Sequence, residues 1–286
     1  MCLRRLCSLW RTLFLLLLAL PCMTLSAELP PFRIGMTPAF LHNQHSMLAE
    51  WKVYLERKLQ RKVVFIQRDN YRETMDLIVK GNLDFAWICD YPYVALGKHV
   101  RLLATASYQN QPFYRSYLIV PAKDVETTSI ADLKGKVFAY ADPHSHTGYV
   151  VPRYEQRKAG VEADGHFKKT FFTWSHAKAI QAVASGLAQG ANVDSYIWES
   201  LQRVDPELVG RTRIAWRSET YGFPPIVATQ RVGAADFQLF QNALFGMGDD
   251  PAGRALLDKL NLDGFTPGSP ALYEGVAAMM RELGDL

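Results

Sequence analysis

The chain has 286 residues, 49% hydrophobic and 21% charged, and its 32 basic and 28 acidic side chains leave a net charge of +4. Arg4, Arg5 and Arg11 carry most of that excess; without residues 1–27 the 32 basic residues fall to 29 against an unchanged 28 acidic ones. So even a balance excludes nucleic acid or an anionic membrane surface as the main partner, since both select a strong basic excess, and any anion must be recognised locally.

Those three arginines precede the apolar run Leu13–Leu20, and Pro21 to Ala27 ends in small residues. Basic, apolar and small-residue segments in that order predict a secretory signal peptide over residues 1–27, with an apolar run too short to span a bilayer. The expected location is the periplasm, after passage across the inner membrane and cleavage. Lipidation at Cys22 is an alternative, disfavoured by the Leu20-Pro21 approach. Cys2, Cys7 and Cys22 fall in this leader, so Cys89 stands alone in an apolar stretch and reads as a buried, inert thiol.

The remaining length suffices for two domains of ordinary size. Phe32–Met36 predicts a strand, and Met47, Trp51, Leu55 and Leu59 recur every four residues as one face of a helix. Lys62–Gln67 follows as a strand, Tyr71–Lys80 as a helix stopped by Gly81, and Leu83–Ile88 as a buried strand. Tyr117–Val120 leaves this first lobe, and Ser129-Ile-Ala-Asp132 has capping-box spacing for a short helix ending at Gly135.

Strands at Lys136–Tyr140, Thr170–Trp174 and Gly190–Val193 then alternate with helices near Val150–Lys158, His176–Ala184 and Ser195–Arg203. Ile214–Trp216 reads as a return strand; Ile226–Ala228 and helices around Ala234–Gly246 and Pro251–Leu260 should pack back on the first lobe. The alternation predicts an α/β chain of two lobes, each a mostly parallel sheet flanked by helices. Residues 28–116 and 218–286 form the first lobe and 117–217 the second, joined by two hinge crossings. Ligands of open parallel sheets sit beyond the carboxyl ends of the strands, which directs attention to the cleft.

Three junctions in the second lobe face that cleft. Ser145, His146 and Thr147, with Gly148 behind them, lie between a strand and a helix start, where free backbone N–H groups and the helix dipole favour an anion. Pro152 keeps the helix from beginning much earlier. Capping alone accounts for one hydroxyl, not two. Ser175 is a second possible cap, with His176 at the first helical position. Asp194 either caps the next helix or faces the cleft to pair with a ligand cation. Tyr71, Tyr91, Tyr93 and Tyr114 are first-lobe candidates for the opposing wall.

The order Thr37-Pro38, Tyr71, Gly81-Asn-Leu-Asp84, Tyr114-Arg-Ser116-Tyr117, Ile130 to Lys136, Asp142-Pro143 with Ser145-His-Thr-Gly148, Ser175-His176 and Val193-Asp194-Ser195-Tyr196 resembles the phosphate/phosphite/phosphonate-binding periplasmic proteins of ABC transporters. Pro224 to Ala228, Asp250-Pro251 and Gly264-Phe265 fit the same order. The resemblance implies a type 2 periplasmic binding fold and a ligand held by Ser145, His146 and Thr147, by His176, and by Tyr71 and Tyr114. Asp194, or less closely Glu219, stands near the family's acidic residue for a ligand amino group. His146 departs from the family by replacing a hydroxyl residue in the middle of the loop, and a protonated imidazole there would strengthen anion binding.

The expected function is capture of a small oxyanion or zwitterion, by a monomer without cofactor, for an inner-membrane ABC permease. No Gly-x-Ser-x-Gly, His-Glu-x-x-His, Cys-x-x-Cys or P-loop motif supports an enzyme. Two alternatives stay open. The same fold could serve a membrane histidine kinase or nucleotide cyclase as a ligand sensor, or His42, His45, His144, His146 and His176 could gather a metal ion.

Overall fold

The computed structural model describes residues 29–38, 45–161 and 163–286. The expected leader at 1–27, with three of the four cysteines, lies outside the described residues, as does His42. β1 (Phe32–Met36), β2 (Val63–Gln67) and β3 (Phe85–Trp87) pair in parallel as β2-β1-β3, connected by α1 (His45–Leu59) and α2 (Tyr71–Val79). The four-residue rhythm of Met47, Trp51, Leu55 and Leu59 is the face that α1 buries, in one cluster with Phe32, Met36 and Trp87. Each such side chain taken from water contributes about 1.5–3 kcal/mol, enough to fix a helix whose outer face is polar. Gly81 ends α2 with φ +68°, the left-handed stop expected of it.

After β3 the chain forms α3 (Asp90–Leu96) and then β4 (Val100–Ser107). It passes through β5 (Phe113–Tyr114) into β6 (Ser116–Pro121), which opens the second lobe. Ser129 and Asp132 make the anticipated reciprocal cap on a short 3-10 turn, Ile130–Leu133. β7 (Val137–Tyr140), α4 (Val151–Lys158), α5 (Ala163–His166), β8 (Lys169–Phe172), α6 (His176–Ala184) and β9 (Gly190–Asp194) follow. The lobe closes with α7 (Ser195–Val204), α8 (Pro206–Gly210) and β10 (Thr212–Arg217). The return runs through β11 (Tyr221–Gly222) to β12 (Pro225–Thr229), α9 (Ala234–Phe245), α10 (Pro251–Leu260), β13 (Gly264–Thr266) and α11 (Glu274–Leu283). Phe240, Leu244, Leu256 and Leu257 bury α9 and α10 in the first-lobe core, where they were expected.

The sheets have the orders β13-β4-β12-β3-β1-β2 and β10-β6-β9-β7-β8. In the first, β1, β2, β3 and β4 run one way and β12 and β13 the other; in the second, β6 alone opposes its four neighbours. The reversal has a mechanical cause. β6 and β12 each enter a lobe from the other one, so they start where the parallel strands finish: Ser116 pairs with Asp194 and Ile226 with Trp87. The carboxyl ends of both sheets therefore meet across the crossings. There β5 and β11 form a two-stranded ribbon, and Ser116 and Ser218 exchange hydrogen bonds at 2.9 and 3.0 Å.

Candidate functional site

The turn after β7 is not the plain α-helix start that the sequence suggests. His146–Val150 forms a π-helical turn in which the Val150 N–H reaches the Ser145 carbonyl at 3.1 Å, and only then does α4 begin. Pro152 favours this geometry, because it has no N–H and its ring crowds the carbonyl four residues back. The Gly148 carbonyl instead accepts from the Ala141 N–H at 3.3 Å. Gly148 is required by space: a Cβ there would stand 2.5 Å from Ala141 Cβ and 3.0 Å from both His176 Cε1 and Ser145 Oγ. Single π turns of this kind concentrate at functional sites.

Ser145 Oγ accepts from the Gly148 N–H at 3.1 Å and lies 3.2 Å from His176 Nε2. The Asp194 N–H donates to His176 Nδ1 at 3.2 Å. Since Nδ1 accepts, the ring proton is on Nε2, and it is donated to Ser145. With two donors on its oxygen, the Ser145 hydroxyl has its own proton free to give. Burial lowers the His176 pKa to about 4, against the opposing charge of Asp142, so the ring is neutral at neutral pH. The Asp194 carboxylate caps α7 through the Ile197 N–H at 3.2 Å. Burial, helped by the charge of Asp90, pushes its pKa up to about 8 against the cap bond from Ile197, which lowers it.

The first lobe meets these groups directly. Asp142 Oδ2 accepts the Tyr71 N–H at 3.1 Å, so a second-lobe carboxylate caps the first turn of α2. Asp90, at the start of α3, receives the Tyr114 hydroxyl at 2.8 Å and His146 Nδ1 at 3.0 Å on the same Oδ2. Ser116 Oγ donates to the Thr147 carbonyl at 2.8 Å and accepts from Asn192 Nδ2 at 2.8 Å. Tyr71 OH, Asp90 Oδ1, His146 Nε2, Thr147 Oγ1 and Ser175 Oγ are buried without a hydrogen-bond partner. Orphaned buried polar atoms are costly, and here they collect where the two lobes join.

All seven residues singled out from the sequence, Tyr71, Tyr114, Ser145, His146, Thr147, His176 and Asp194, are buried at this junction. Several other expectations need correction. Ser175 sits at the N-cap of α6 but makes no side-chain cap bond, and its hydroxyl is buried without a hydrogen-bond partner. Tyr93 packs on Tyr273 of its own lobe at 4.6 Å, whereas Tyr91 does meet the second lobe, edge-on to the half-buried His144 at 5.4 Å. Glu219 is exposed. No group of three metal ligands occurs among the described residues, since His176 is committed at both nitrogens and His146 Nδ1 is taken by Asp90. Asp90 and Asp142 were missed as site residues; the rule that strand ends face the cleft, applied to β3 and β7, points to both. Cys89 is buried and its thiol pKa is pushed up by burial, in line with an inert role.

A family profile described as "ABC transporter, phosphonate, periplasmic substrate-binding protein" matches residues 34–273. The chain belongs to this family. Its phosphonate-binding family membership is accompanied by 25% identity over 191 residues to the phosphate-import protein PhnD of Mycolicibacterium smegmatis, covering 63% of this chain and 60% of that relative. The chain thus aligns with about three fifths of that relative's length. The binding protein component of an ABC phosphonate transporter from Pseudomonas aeruginosa superposes with a TM-score of 0.80 at 21% identity, covering 87% of this chain and 85% of the other. PhnD1 from Prochlorococcus marinus, in complex with methylphosphonate, gives 0.79 at 21% identity over 89% and 98% of the two chains. These structures carry the fold, the two-lobed type 2 periplasmic binding architecture.

Proposed function

We propose that this protein is an extracytoplasmic solute-binding protein that holds a small oxyanion of the phosphonate, phosphite or phosphate class between its lobes and delivers it unchanged to an inner-membrane ABC permease. The observation that carries this reading is the set of unpartnered buried donors at one turn, Thr147 Oγ1 with the free Ser145 proton, opposed by Tyr71 OH from the other lobe. An anion there meets hydroxyls and the start of a helical turn without needing a lysine or arginine. The predicted leader supports export, and the phosphonate-transport family supports the permease as partner.

The tautomer supports binding rather than catalysis. Ser145 and His176 are spaced like a nucleophile and its base, but His176 donates its only proton to Ser145 and cannot accept the serine's. Burial raises the Asp194 pKa to about 8, which reduces the negative charge an anion would meet there. Closure is driven by ligand contacts made from both lobes at once, with the β5–β11 ribbon as hinge.

Thr147→Val tests this reading, because it removes only the hydroxyl. Oγ1 has no protein partner, so the variant keeps its stability within about 1 kcal/mol. Titration with methylphosphonate, phosphite and phosphate should show affinity lowered at least about tenfold. Unaltered affinity for all three would overturn the assignment.

A further inference from the structure

We propose that Asp90 and His146 form a specificity-determining pair that makes the site select an oxyanion carrying a proton over one that carries none. This rests on the oxyanion reading above and deepens it. The pair is a contact between lobes: Asp90 comes from the start of α3 in the first, His146 from the π turn in the second, with Nδ1 3.0 Å from Oδ2 and both side chains fully enclosed. Asp90 Oδ2 accepts the Tyr114 hydroxyl, and His146 Nδ1 lies 3.0 Å from that oxygen and 3.3 Å from the Tyr114 oxygen, so with Asp90 ionised the Nδ1 proton goes to the carboxylate. That fixes the tautomer. The other ring nitrogen, Nε2, is then a bare acceptor in the neutral ring and a donor only when the ring takes a second proton.

Nε2 is buried and has no protein partner, and neither has Asp90 Oδ1. Several titratable groups surround the ring. Cys89 is the N-cap of α3 and Asp90 its first residue, Tyr114 lies on β5, and Tyr221 on β11 stands with its ring centre 4.4 Å away. Asp194, at the end of β9, acts electrostatically with Asp90. α11 packs on the turn with Val276, Met279 and Met280 buried, while Glu282 on that helix pairs outward with Arg157. No lysine or arginine is among these groups.

A ligand oxygen set against Nε2 therefore needs one proton between the two atoms. A methylphosphonate or phosphate monoanion brings it on its own P–OH and donates to neutral Nε2. Sulfate has none to bring, so His146 must first take a proton from solvent and donate it. The proton count of the complex is the same either way; its source differs. With sulfate and a neutral ring, two acceptors face each other, an arrangement that buried sites reject strongly.

The test is titration calorimetry of the purified protein with methylphosphonate and sulfate at pH 6 and pH 8. Ionisations that affect both ligands cancel in the ratio of their affinities. The ratio should favour methylphosphonate more at pH 8 than at pH 6, because sulfate brings no proton of its own at either pH. In His146→Thr, whose hydroxyl donates or accepts, the ratio should no longer rise. A wild-type ratio that does not rise with pH, with both ligands bound, overturns the pair and leaves the oxyanion site standing. Failure of the wild type to bind methylphosphonate, phosphite, phosphate or sulfate overturns that site and the pair with it.

Discussion

The carboxylate of Asp142, on the second lobe, accepts the backbone N–H of Tyr71 on the first at 3.1 Å. Its other oxygen takes the His144 N–H at 2.7 Å, and its backbone carbonyl takes the Ser145 N–H at 2.9 Å. One residue thus shapes the turn that presents Ser145 and Thr147 and also ties that turn to the helix presenting Tyr71. Placing a carboxylate at the first turn of α2 completes a helix cap from outside the lobe, so closing the lobes and capping α2 are the same event.

Asp142→Ala should separate the lobes. Hydrogen bonds to a buried charge are worth about 1.5–3 kcal/mol, and the Tyr71 N–H would lose its acceptor in the closed state only. Small-angle scattering of the ligand-free variant should give a larger radius than wild type, and methylphosphonate affinity should fall at least about tenfold. An unchanged radius with unchanged affinity would contradict the bridging role.

Much of this was legible in the sequence, for physical reasons that also mark where legibility ends. β1, α6 and α10 have the expected bounds because their apolar positions keep a single period and their ends carry clear stops. α3 went unread: seven residues, Asp-Tyr-Pro-Tyr-Val-Ala-Leu, are too few to show a period, and three aromatic or proline positions in a row read equally well as loop. The strand expected over Thr170–Trp174 stops at Phe172, because Trp174 turns left-handed, a backbone choice that no pattern of side chains announces. Ser145 and Thr147 stand out mainly through the family resemblance, with the order of strand, hydroxyls and glycine in support. Asp90 was findable only as a position just past the end of β3; its pairing with His146, 56 residues away in sequence and on the other lobe, was not.

Gly148→Ala should damage the site by crowding it. The new methyl has Ala141, His176 and Ser145 all within 3.0 Å, and a close-packed turn has nowhere to move. Overpacking of this kind costs about 1–3 kcal/mol. Gly246→Ala is the control, for it has open space around it and negative φ, and should shift stability by less than about 0.5 kcal/mol. Urea unfolding of both variants checks the contrast.

Ligand-free stability should decline above pH 6.5, and Asp194 should be one cause. His176 refuses a proton until about pH 4, whereas the unfolded chain accepts one near 6.5, so that residue costs stability as pH falls across this window. Asp194 acts in the opposite sense: the unfolded carboxyl ionises near 3.8 and the folded one near 8, so stability is lost as pH rises toward 8. Between 4 and 6.5 the two effects oppose each other, one proton each. Above 6.5 the His176 effect is spent, and Asp194 contributes about 1.4 kcal/mol per pH unit, or roughly 2 kcal/mol by pH 8, with Asp90, whose pKa burial also raises, acting in the same direction. Chemical denaturation at pH 6.5 and 8 should show this loss in wild type and much less of it in Asp194→Asn.

Trp174 should show the opposite of the usual preference for alanine over glycine. Its φ is +62°, in the left-handed region, where any Cβ costs about 1–2 kcal/mol. The ring is 44% exposed and rests on Phe172 at 5.7 Å, so packing alone gives little reason for so bulky a residue there. The turn it makes carries the chain from the end of β8 to Ser175 and His176, both buried at the junction, and strained backbone of this kind persists where the surrounding structure holds it. Replacing Trp174 by alanine and by glycine removes the same ring contacts and leaves only the Cβ to distinguish the variants. Glycine should be the more stable by roughly 1 kcal/mol in urea unfolding, the reverse of the order at an ordinary position. Were alanine equal or better, the left-handed turn before His176 would be relaxed in solution, and with it the alignment of Nε2 on Ser145.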